Sequence, residues 1–397
     1  MPNSAIGKLA AALAVSVLAA CALYDVSEQP STDVAVQPAP PPPKPKPKPR
    51  AAPKKSAPPL ATRNGDKDPA AFVEVEVFYA TDRSRSGAPA PNDFYAAGRG
   101  KLEYGVSGVS IPRRHKRGEL EAPAWWKLEF SEDPARHIVL LSVTPMTSVD
   151  FHNGVAQRAS VAGQGNVLVF VHGFNVTFPD AVRRTAQIAY DLQYSGTPIT
   201  YSWPSQGSPA PLGYTTDETN VEWTEPHLKQ FLLDLKAGVG SDVRIHLLAH
   251  SMGNRALTKV LRSIAAQTDG ALFSQVILAA PDIDREVFER DIAPAVVKTA
   301  RRTTLYASSQ DRALMFSETV HSYVRAGQSS QPLVFVQGLD TVDASGIDTS
   351  TLGHSYIATE PLLLDDLFKL IRHEMRPLER NLRALPPGQQ RYWSFVR

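Results

Sequence analysis

The stretch that decides the fold is Arg244-Ile-His-Leu-Leu-Ala-His-Ser-Met-Gly-Asn-Arg255, where a short apolar run passes directly into a helical pattern. Residues 243–248 are mostly apolar, which is typical of a central parallel strand buried on both faces. The apolar residues that follow recur at helical spacing, namely Met252, Ala256, Val260, Leu261 and Ile264. Because no loop separates the two patterns, we predict a very tight strand-to-helix turn with Ser251 at its corner.

Small residues flank this serine on both sides. Ala249 lies two residues before Ser251 and Gly253 lies two residues after it, which is the small-x-Ser-x-small pattern of a nucleophile elbow with Ala replacing the usual first Gly. Such a turn presents the hydroxyl to a histidine and places the Met252 N–H at a helix N-terminus, where it stabilises an oxyanion. The alternative is that Ser251 is only a turn or N-cap residue.

A second turn follows the predicted buried strand at residues 167–171, with the sequence His172-Gly-Phe-Asn175. A glycine after a strand lets the backbone turn sharply, so that the Phe174 N–H points toward the same place as the Met252 N–H. Two such amides form an oxyanion hole. The alternative is a simple strand-to-helix turn with His172 packed inside the protein.

The acid of a catalytic triad is expected after the serine, at the end of a later strand. Asp311 follows a predicted strand at residues 303–308 and is the favoured candidate. Asp282 and Asp284, which follow a predicted strand at residues 276–280, are the alternative acids. Both alternatives also fit a role in capping the next helix.

The base is expected after the last predicted strand, at residues 333–337, and only His354 and His373 follow that strand. His373 falls inside a predicted amphipathic helix at residues 361–375. His354 falls in a predicted polar loop at residues 340–355 that is able to bring an imidazole to the sheet edge. We therefore predict a triad of Ser251, Asp311 and His354.

The remaining pattern indicates an α/β fold. Strand–helix alternation from Asn166 onward favours a mostly parallel sheet with helices on both faces. The part before it is β-rich, with strands predicted at 72–79, 102–111, 126–130 and 138–143. Residues 142–165 are predicted to be irregular, and residues 204–224 to be an insertion that serves as a lid, a wall of the acyl pocket or a surface loop.

Composition limits the class of protein. The chain has 397 residues, of which 43% are hydrophobic, with a net charge of +2 and a single cysteine. The residues before 64 carry more positive charge than the whole chain does on balance. The rest of the chain is therefore slightly acidic, which gives no support to nucleic-acid binding. The sequence has neither a His-Glu-x-x-His nor a phosphate-binding Gly-rich motif, and we predict no metal and no cofactor.

The N-terminal sequence predicts a membrane anchor. An apolar run at residues 9–20 is too short to span a bilayer and ends in Leu18-Ala-Ala-Cys21, which resembles the lipobox of bacterial lipoproteins. We expect a signal peptide at 1–21 with lipidation of Cys21, a Pro/Lys-rich linker at 22–70 and a hydrolase domain at 71–397. The expected location is the periplasmic face of the outer membrane. An ordinary secretory signal or an uncleaved anchor is the alternative.

Several motifs together resemble the α/β-hydrolase superfamily, and more narrowly a bacterial family known as DUF900. They are Phe78-Tyr-Ala-Thr-Asp-Arg83, Val169-Phe-Val-His-Gly-Phe-Asn175, Tyr201-Ser-Trp-Pro-Ser205, Leu248-Ala-His-Ser-Met-Gly-Asn-Arg255, Ala280-Pro-Asp-Ile-Asp284, Tyr306-Ala-Ser-Ser-Gln-Asp-Arg312 and His354-Ser-Tyr356. The resemblance implies an α/β-hydrolase fold and a serine triad, but no substrate. We expect a hydrolase of small-molecule or lipid esters or thioesters. The alternatives are an acyltransferase or a non-catalytic tethered binding module.

Overall fold

A computed structural model of the chain describes residues 71–123, 129, 131–161, 165–330, 333–345, 347, 356–385 and 392–396. The predicted signal peptide with Cys21, the linker at 22–70 and the predicted base His354 lie outside the described residues. So does nearly all of the strand predicted at 126–130.

The described strands form one sheet. They are β1 (Phe72–Arg85), β2 (Tyr95–Pro112), β3 (Val139–Met146), β4 (Asn166–Val171), β5 (Thr197–Ser202), β6 (Arg244–His250), β7 (Phe273–Ala279), β8 (Ala300–Ala307), β9 (Leu339–Asp343), β10 (Leu382–Leu385) and β11 (Tyr392–Phe395). Their order across the sheet is β10-β11-β9-β8-β7-β6-β4-β5-β1-β2-β3. Pairing is parallel from β11 through β9, β8, β7, β6, β4 and β5 to β1, and antiparallel at both ends. This topology confirms the predicted α/β fold with a β-rich N-terminal part.

The helices connect the parallel strands. They are α1 (Ser148–Val161), α2 (Phe178–Asp191), α3 (Pro211–Trp223), α4 (Glu225–Gly238), α5 (Gly253–Ala265), α6 (Arg285–Val287), α7 (Ala293–Val296), α8 (Arg312–His321), α9 (Tyr356–Thr359) and α10 (Pro361–His373). A π-helical turn at Phe288–Ile292 joins α6 to α7, and 3₁₀ turns occur at Pro91–Asp93 and Pro377–Glu379. Within the described residues, none of the helices combines the length and apolar character needed to cross a membrane.

The central strands supply apolar side chains to both faces of the sheet. On β4, Val167 and Val169 belong to the cluster that includes residues of α1, α4 and α5. Leu168 and Phe170 belong to the opposite cluster, with residues of α2 and α10. Alternation of this kind follows from the two-residue period of a strand. It confirms that helices cover both faces.

Three predictions about local structure were wrong. Residues 148–161 of the segment expected to be irregular form α1, whose Phe151, Val155 and Ala159 make a buried stripe at helical spacing. Most of the insertion expected at 204–224 is helix α3, which begins at a proline.

The third wrong prediction is the strand at residues 333–337. Its Val334 carbonyl accepts a hydrogen bond from a side chain, that of Thr341, and the backbone N–H of Phe335 donates to the Glu289 carboxylate. The neighbouring strand is instead β9, at Leu339–Asp343, so Asp340, placed in the predicted polar loop, lies in a strand.

Candidate active site

The serine corner lies between β6 and α5. Strand β6 ends at His250, and α5 begins at Gly253 with Met252 as its N-cap residue. Ser251 has a φ of 52°, in the left-handed region that non-glycine residues rarely adopt. Its backbone N–H donates to the Ala279 carbonyl at 2.9 Å, and its own carbonyl accepts from Asn254 at 3.1 Å. The predicted strand-to-helix turn is therefore present, with its strained residue held by both neighbouring elements.

Two glycines permit close packing around this corner. A Cβ on Gly253 would lie 2.3 Å from the carbonyl oxygen of His172, and a Cβ on Gly173 would lie 2.9 Å from the Cβ of Ser251. Both distances are shorter than real Cβ contacts allow. The turn after β4 and the turn after β6 therefore touch, and a larger side chain at either glycine would separate them.

Ser251 itself is nearly enclosed, with 4% of its surface exposed. Its hydroxyl makes no hydrogen bond to the described residues. The serine corner is therefore almost closed to solvent.

The backbone N–H groups of Phe174 and Met252 find no acceptor among the described residues. The two N–H groups that follow Phe174 are both paired: Asn175 donates to Asp217, and Val176 donates to Ser205. The Met252 amide also lies at the N-terminus of α5, where partial positive charge accumulates. Met252 follows Ser251 directly, and Phe174 follows Gly173, which packs against Ser251. Amides in these positions that no described residue pairs have the chemistry that an oxyanion hole requires.

Arg83 fixes the carbonyl side of the turn that carries Phe174. Its guanidinium is buried and donates to the carbonyl oxygens of Val176, at 2.7 Å, and Ser205, at 2.8 Å, and to the Ser202 hydroxyl at 2.9 Å. Sequence reasoning did not assign this role, although Arg83 belongs to the Phe78-Tyr-Ala-Thr-Asp-Arg83 motif that it singled out.

Asp217, in α3, fixes the amide side of the same turn. Its carboxylate accepts from the backbone N–H of Asn175 at 3.3 Å and of Gln206 at 2.8 Å, and from the Ser205 hydroxyl at 2.5 Å. Asn175 has a φ of 58°, so this contact supports a second left-handed residue. The segment was predicted only as an insertion, and no role was assigned to Asp217.

His172 is a packed residue in this structure. Its ring is stacked on Trp203 at 5.0 Å, and its Nδ1 donates to the Gly173 carbonyl at 2.9 Å. Burial, together with the positive charge of Arg83, lowers the pKa of His172 to about 3. The ring is therefore neutral, with Nε2 facing Arg83 and Ser202.

The predicted acid Asp311 directly precedes α8 and is buried. Its Oδ1 accepts hydrogen bonds from the backbone N–H groups of Ala313 and Leu314, both at 3.1 Å. The carboxylate thus caps α8 four residues after β8 ends. This is the end of the sheet at which β6 delivers Ser251.

The alternative acid Asp282 lies in a buried polar network. Its carboxylate accepts from Tyr214 at 2.7 Å, Ser317 at 2.5 Å and Arg255 at 3.0 Å, and lies 3.3 Å from the guanidinium of Arg325. Burial raises its pKa, but these cations and hydroxyls outweigh burial and lower it below the ordinary value. Asp284 caps α6 through the Val287 N–H at 2.9 Å. Both alternatives therefore have structural partners.

The described chain on each side of His354 lies close to the catalytic elements. After β9, the Ala344 N–H donates to the carbonyl of Ala307, at the end of β8, and the Ser345 hydroxyl accepts from the N–H of Ser309. On the other side, Ile357 and Ala358 of α9 line a cleft that His250 and Gly173 also line.

The comparisons with known proteins give the family. Residues 149–373, more than half of the chain, match the model of a family described as "Alpha/beta hydrolase of unknown function (DUF900)". No curated protein matches.

Solved structures of esterases are similar in fold. An esterase of Pyrobaculum calidifontis is 11% identical, with 70% of this chain and 84% of that one covered and a TM-score of 0.30. A thermostable esterase from Pseudomonas putida is 13% identical, with 77% and 82% covered and a TM-score of 0.29. A fungal esterase from Rhizomucor miehei is 10% identical, with 77% and 86% covered and a TM-score of 0.29. Structural similarity at these low TM-scores says nothing about activity. The family match covers more than half of the chain and establishes that the chain belongs to the DUF900 family of α/β hydrolases.

Proposed function

We propose that this protein is a serine hydrolase that cleaves carboxylic ester or thioester bonds through an acyl-enzyme on Ser251. The observation that carries the proposal is the left-handed backbone of Ser251 at the corner, together with the amides of Phe174 and Met252, which no described residue pairs. A left-handed conformation at a residue other than glycine is strained and is typical of functional sites. A hydrolase fold is the context in which such a corner activates a serine.

The proposed reaction has two halves. Ser251 Oγ attacks the carbonyl carbon while His354 takes its proton, and the Phe174 and Met252 amides stabilise the oxyanion. The leaving alcohol or thiol departs with the proton from His354, which leaves an acyl group on Ser251. A water molecule then attacks the acyl carbon and gives a proton to His354. The bond from the acyl carbon to Ser251 Oγ breaks as His354 returns that proton to Oγ, which releases the acid and restores the serine. Asp311 fixes the imidazole tautomer and stabilises the imidazolium in both halves.

The test uses a fluorophosphonate probe and 4-nitrophenyl pentanoate. We expect the wild-type protein to be labelled and to release nitrophenol, and Ser251→Ala to do neither. Ser160→Ala, which changes an exposed serine in α1, is the matched control and should behave as wild type. Labelling of Ser251→Ala at the wild-type level would contradict the proposal. Added glycerol that receives the acyl group faster than water does would identify an acyltransferase instead.

We also propose, from sequence alone, that Cys21 anchors the protein in the bacterial cell envelope through covalent lipid. The Leu18-Ala-Ala-Cys21 pattern supports this. In cells fed labelled palmitate, the wild-type protein should become labelled and Cys21→Ala should not. Label retained by Cys21→Ala would refute lipidation at this residue without bearing on the active site.

A further inference from the structure

A cleft lies beside the serine corner, on the face of the sheet that α2 covers. Its cavity volume is about 110 Å³, and it is partly open to solvent. The residues that line it are Leu120, Phe170, His172, Gly173, Val176, Asp180, Arg184, His250, Ile357 and Ala358. Gly173 connects the cleft to the proposed chemistry, because a Cβ on this residue would lie 2.9 Å from the Cβ of Ser251.

Most of the cleft wall is apolar, and the exceptions are informative. Leu120, Phe170, Val176 and Ile357 offer hydrocarbon surface suited to an alkyl chain. A substrate-binding cavity commonly combines such walls with a few polar groups that set orientation. In this cleft α2 supplies a charged group of each sign, Asp180 and Arg184.

The guanidinium of Arg184 has N–H donors that no described residue accepts from. Its only hydrogen bond to a described residue goes from Nη1 to the Gln187 side chain, at 2.9 Å, and it forms no ion pair with a described carboxylate. A guanidinium carries five N–H donors in a fixed plane, which match a carboxylate in bidentate geometry. Burial lowers the pKa of Arg184 to about 10, although Asp191 and Asp180 oppose this shift. The group is therefore still a cation at neutral pH.

The nearby carboxylates are committed to other partners. Asp180 accepts from the Thr177 hydroxyl at 2.5 Å and faces Arg183 at 3.5 Å. Asp191 accepts from the ring of His115 at 2.9 Å and from the backbone of Gly118 at 2.8 Å. Arg184 is thus the cation of the cleft whose charge the described side chains do not pair.

We propose that this cleft binds the acyl part of the substrate and that Arg184 binds a carboxylate at its far end. The inference rests on the proposed function and adds a substrate class to it: monoesters or thioesters of dicarboxylic acids with an apolar spacer. The apolar wall receives the spacer, and the guanidinium forms a charge-assisted pair with the terminal carboxylate.

The test compares two substrates that differ at the far end of the acyl chain, 4-nitrophenyl hemiglutarate and 4-nitrophenyl pentanoate. We expect the wild-type protein to have the higher kcat/KM for the hemiglutarate. In Arg184→Met, which keeps the length of the side chain without its charge, the ratio of the two kcat/KM values should fall about 10- to 100-fold. Arg184→Lys should recover part of the ratio, since it restores the charge but not the bidentate geometry.

Arg183→Met is the matched control, because it removes the same charge from the adjacent residue of α2, whose guanidinium pairs with Glu132 and Asp180. Its ratio should change less than about threefold, because the Arg183 charge is already paired with these two carboxylates. Equal losses on both esters in Arg184→Met, or a wild-type preference for the pentanoate, would overturn the carboxylate site. Failure of the wild-type protein to hydrolyse either ester would instead refute the proposed function.

Discussion

The ends of β7 and β8 are neighbours in the sheet, and each is followed by a buried aspartate, yet the two carboxylates are held in different ways. Asp282, after β7, contacts one hydroxyl from α3 and one from α8. It also contacts one guanidinium group from α5 and one from the chain just after α8. Asp311, after β8, accepts from two backbone amides of the helix that it caps. The same position in the sheet and the same burial therefore accompany different hydrogen-bond partners, and we predict that Asp311 alone serves as the acid of the triad.

The largest effect is expected from Asp311→Asn. Asparagine also caps helices, so the free energy of unfolding should change by less than about 1 kcal/mol. The kcat for 4-nitrophenyl pentanoate should fall about 10³- to 10⁴-fold, because the neutral amide no longer holds the imidazole in its active tautomer. Steady-state kinetics and urea unfolding of the same preparation measure both quantities. A kcat within about threefold of wild type would remove Asp311 from the triad.

Asp282→Asn should show the opposite profile. Removing one partner of a buried charged network leaves Arg255 and Arg325 with less compensation, so we expect the free energy of unfolding to fall by about 3 kcal/mol. The kcat of the protein that remains folded should fall less than about tenfold, since Asp282 does not touch the reacting atoms in the proposed mechanism. A loss of kcat as large as that of Asp311→Asn, with stability retained, would reverse the two assignments.

Arg83→Met tests the turn that carries the Phe174 amide of the proposed oxyanion hole. Loss of the bonds to the carbonyls of Val176 and Ser205 frees the turn that carries Phe174, so the kcat should fall about 10- to 100-fold while KM changes by less than about threefold. A purely structural role would lower the amount of folded protein without this division between kcat and KM. Arg83→Lys, which keeps a donor near Val176, should recover part of the kcat.

The smallest effect concerns acid stability. The pKa of Asp282 is lowered from 3.8 in the folded protein, so the native state binds fewer protons than the unfolded state near that pH. Its contribution to stability is complete above pH 3.8 and is lost as the pH falls through the lower, folded-state pKa. Between about pH 5 and pH 3, wild type should therefore lose more unfolding free energy than Asp282→Asn. Equal losses, measured by urea unfolding, would contradict the charge assignment.

The parts of the fold that could be predicted are those that depend on the pattern of consecutive residues. The elbow is such a case, because the strand pattern before Ser251 and the helical pattern after Met252 leave no room for a loop. Helix α1 was missed although Phe151, Val155 and Ala159 stand at helical spacing, because the polar residues between them weaken the pattern. The segment at 333–337 was wrongly predicted to be a strand, because its apolar run is buried in part but does not pair with the sheet.

Sequence by itself determined the α/β class, the family and the serine corner, because strand and helix periodicity and a tight turn depend on neighbouring residues. Tertiary structure alone decided which partners act together. The contacts of Arg83 with Val176 and of Asp217 with Asn175, and the cleft that joins Arg184 to Gly173, link residues from separate elements. The physical reason is that periodicity fixes which face of an element is buried, whereas side-chain pairing depends on how the elements pack. Local sequence does not encode that packing.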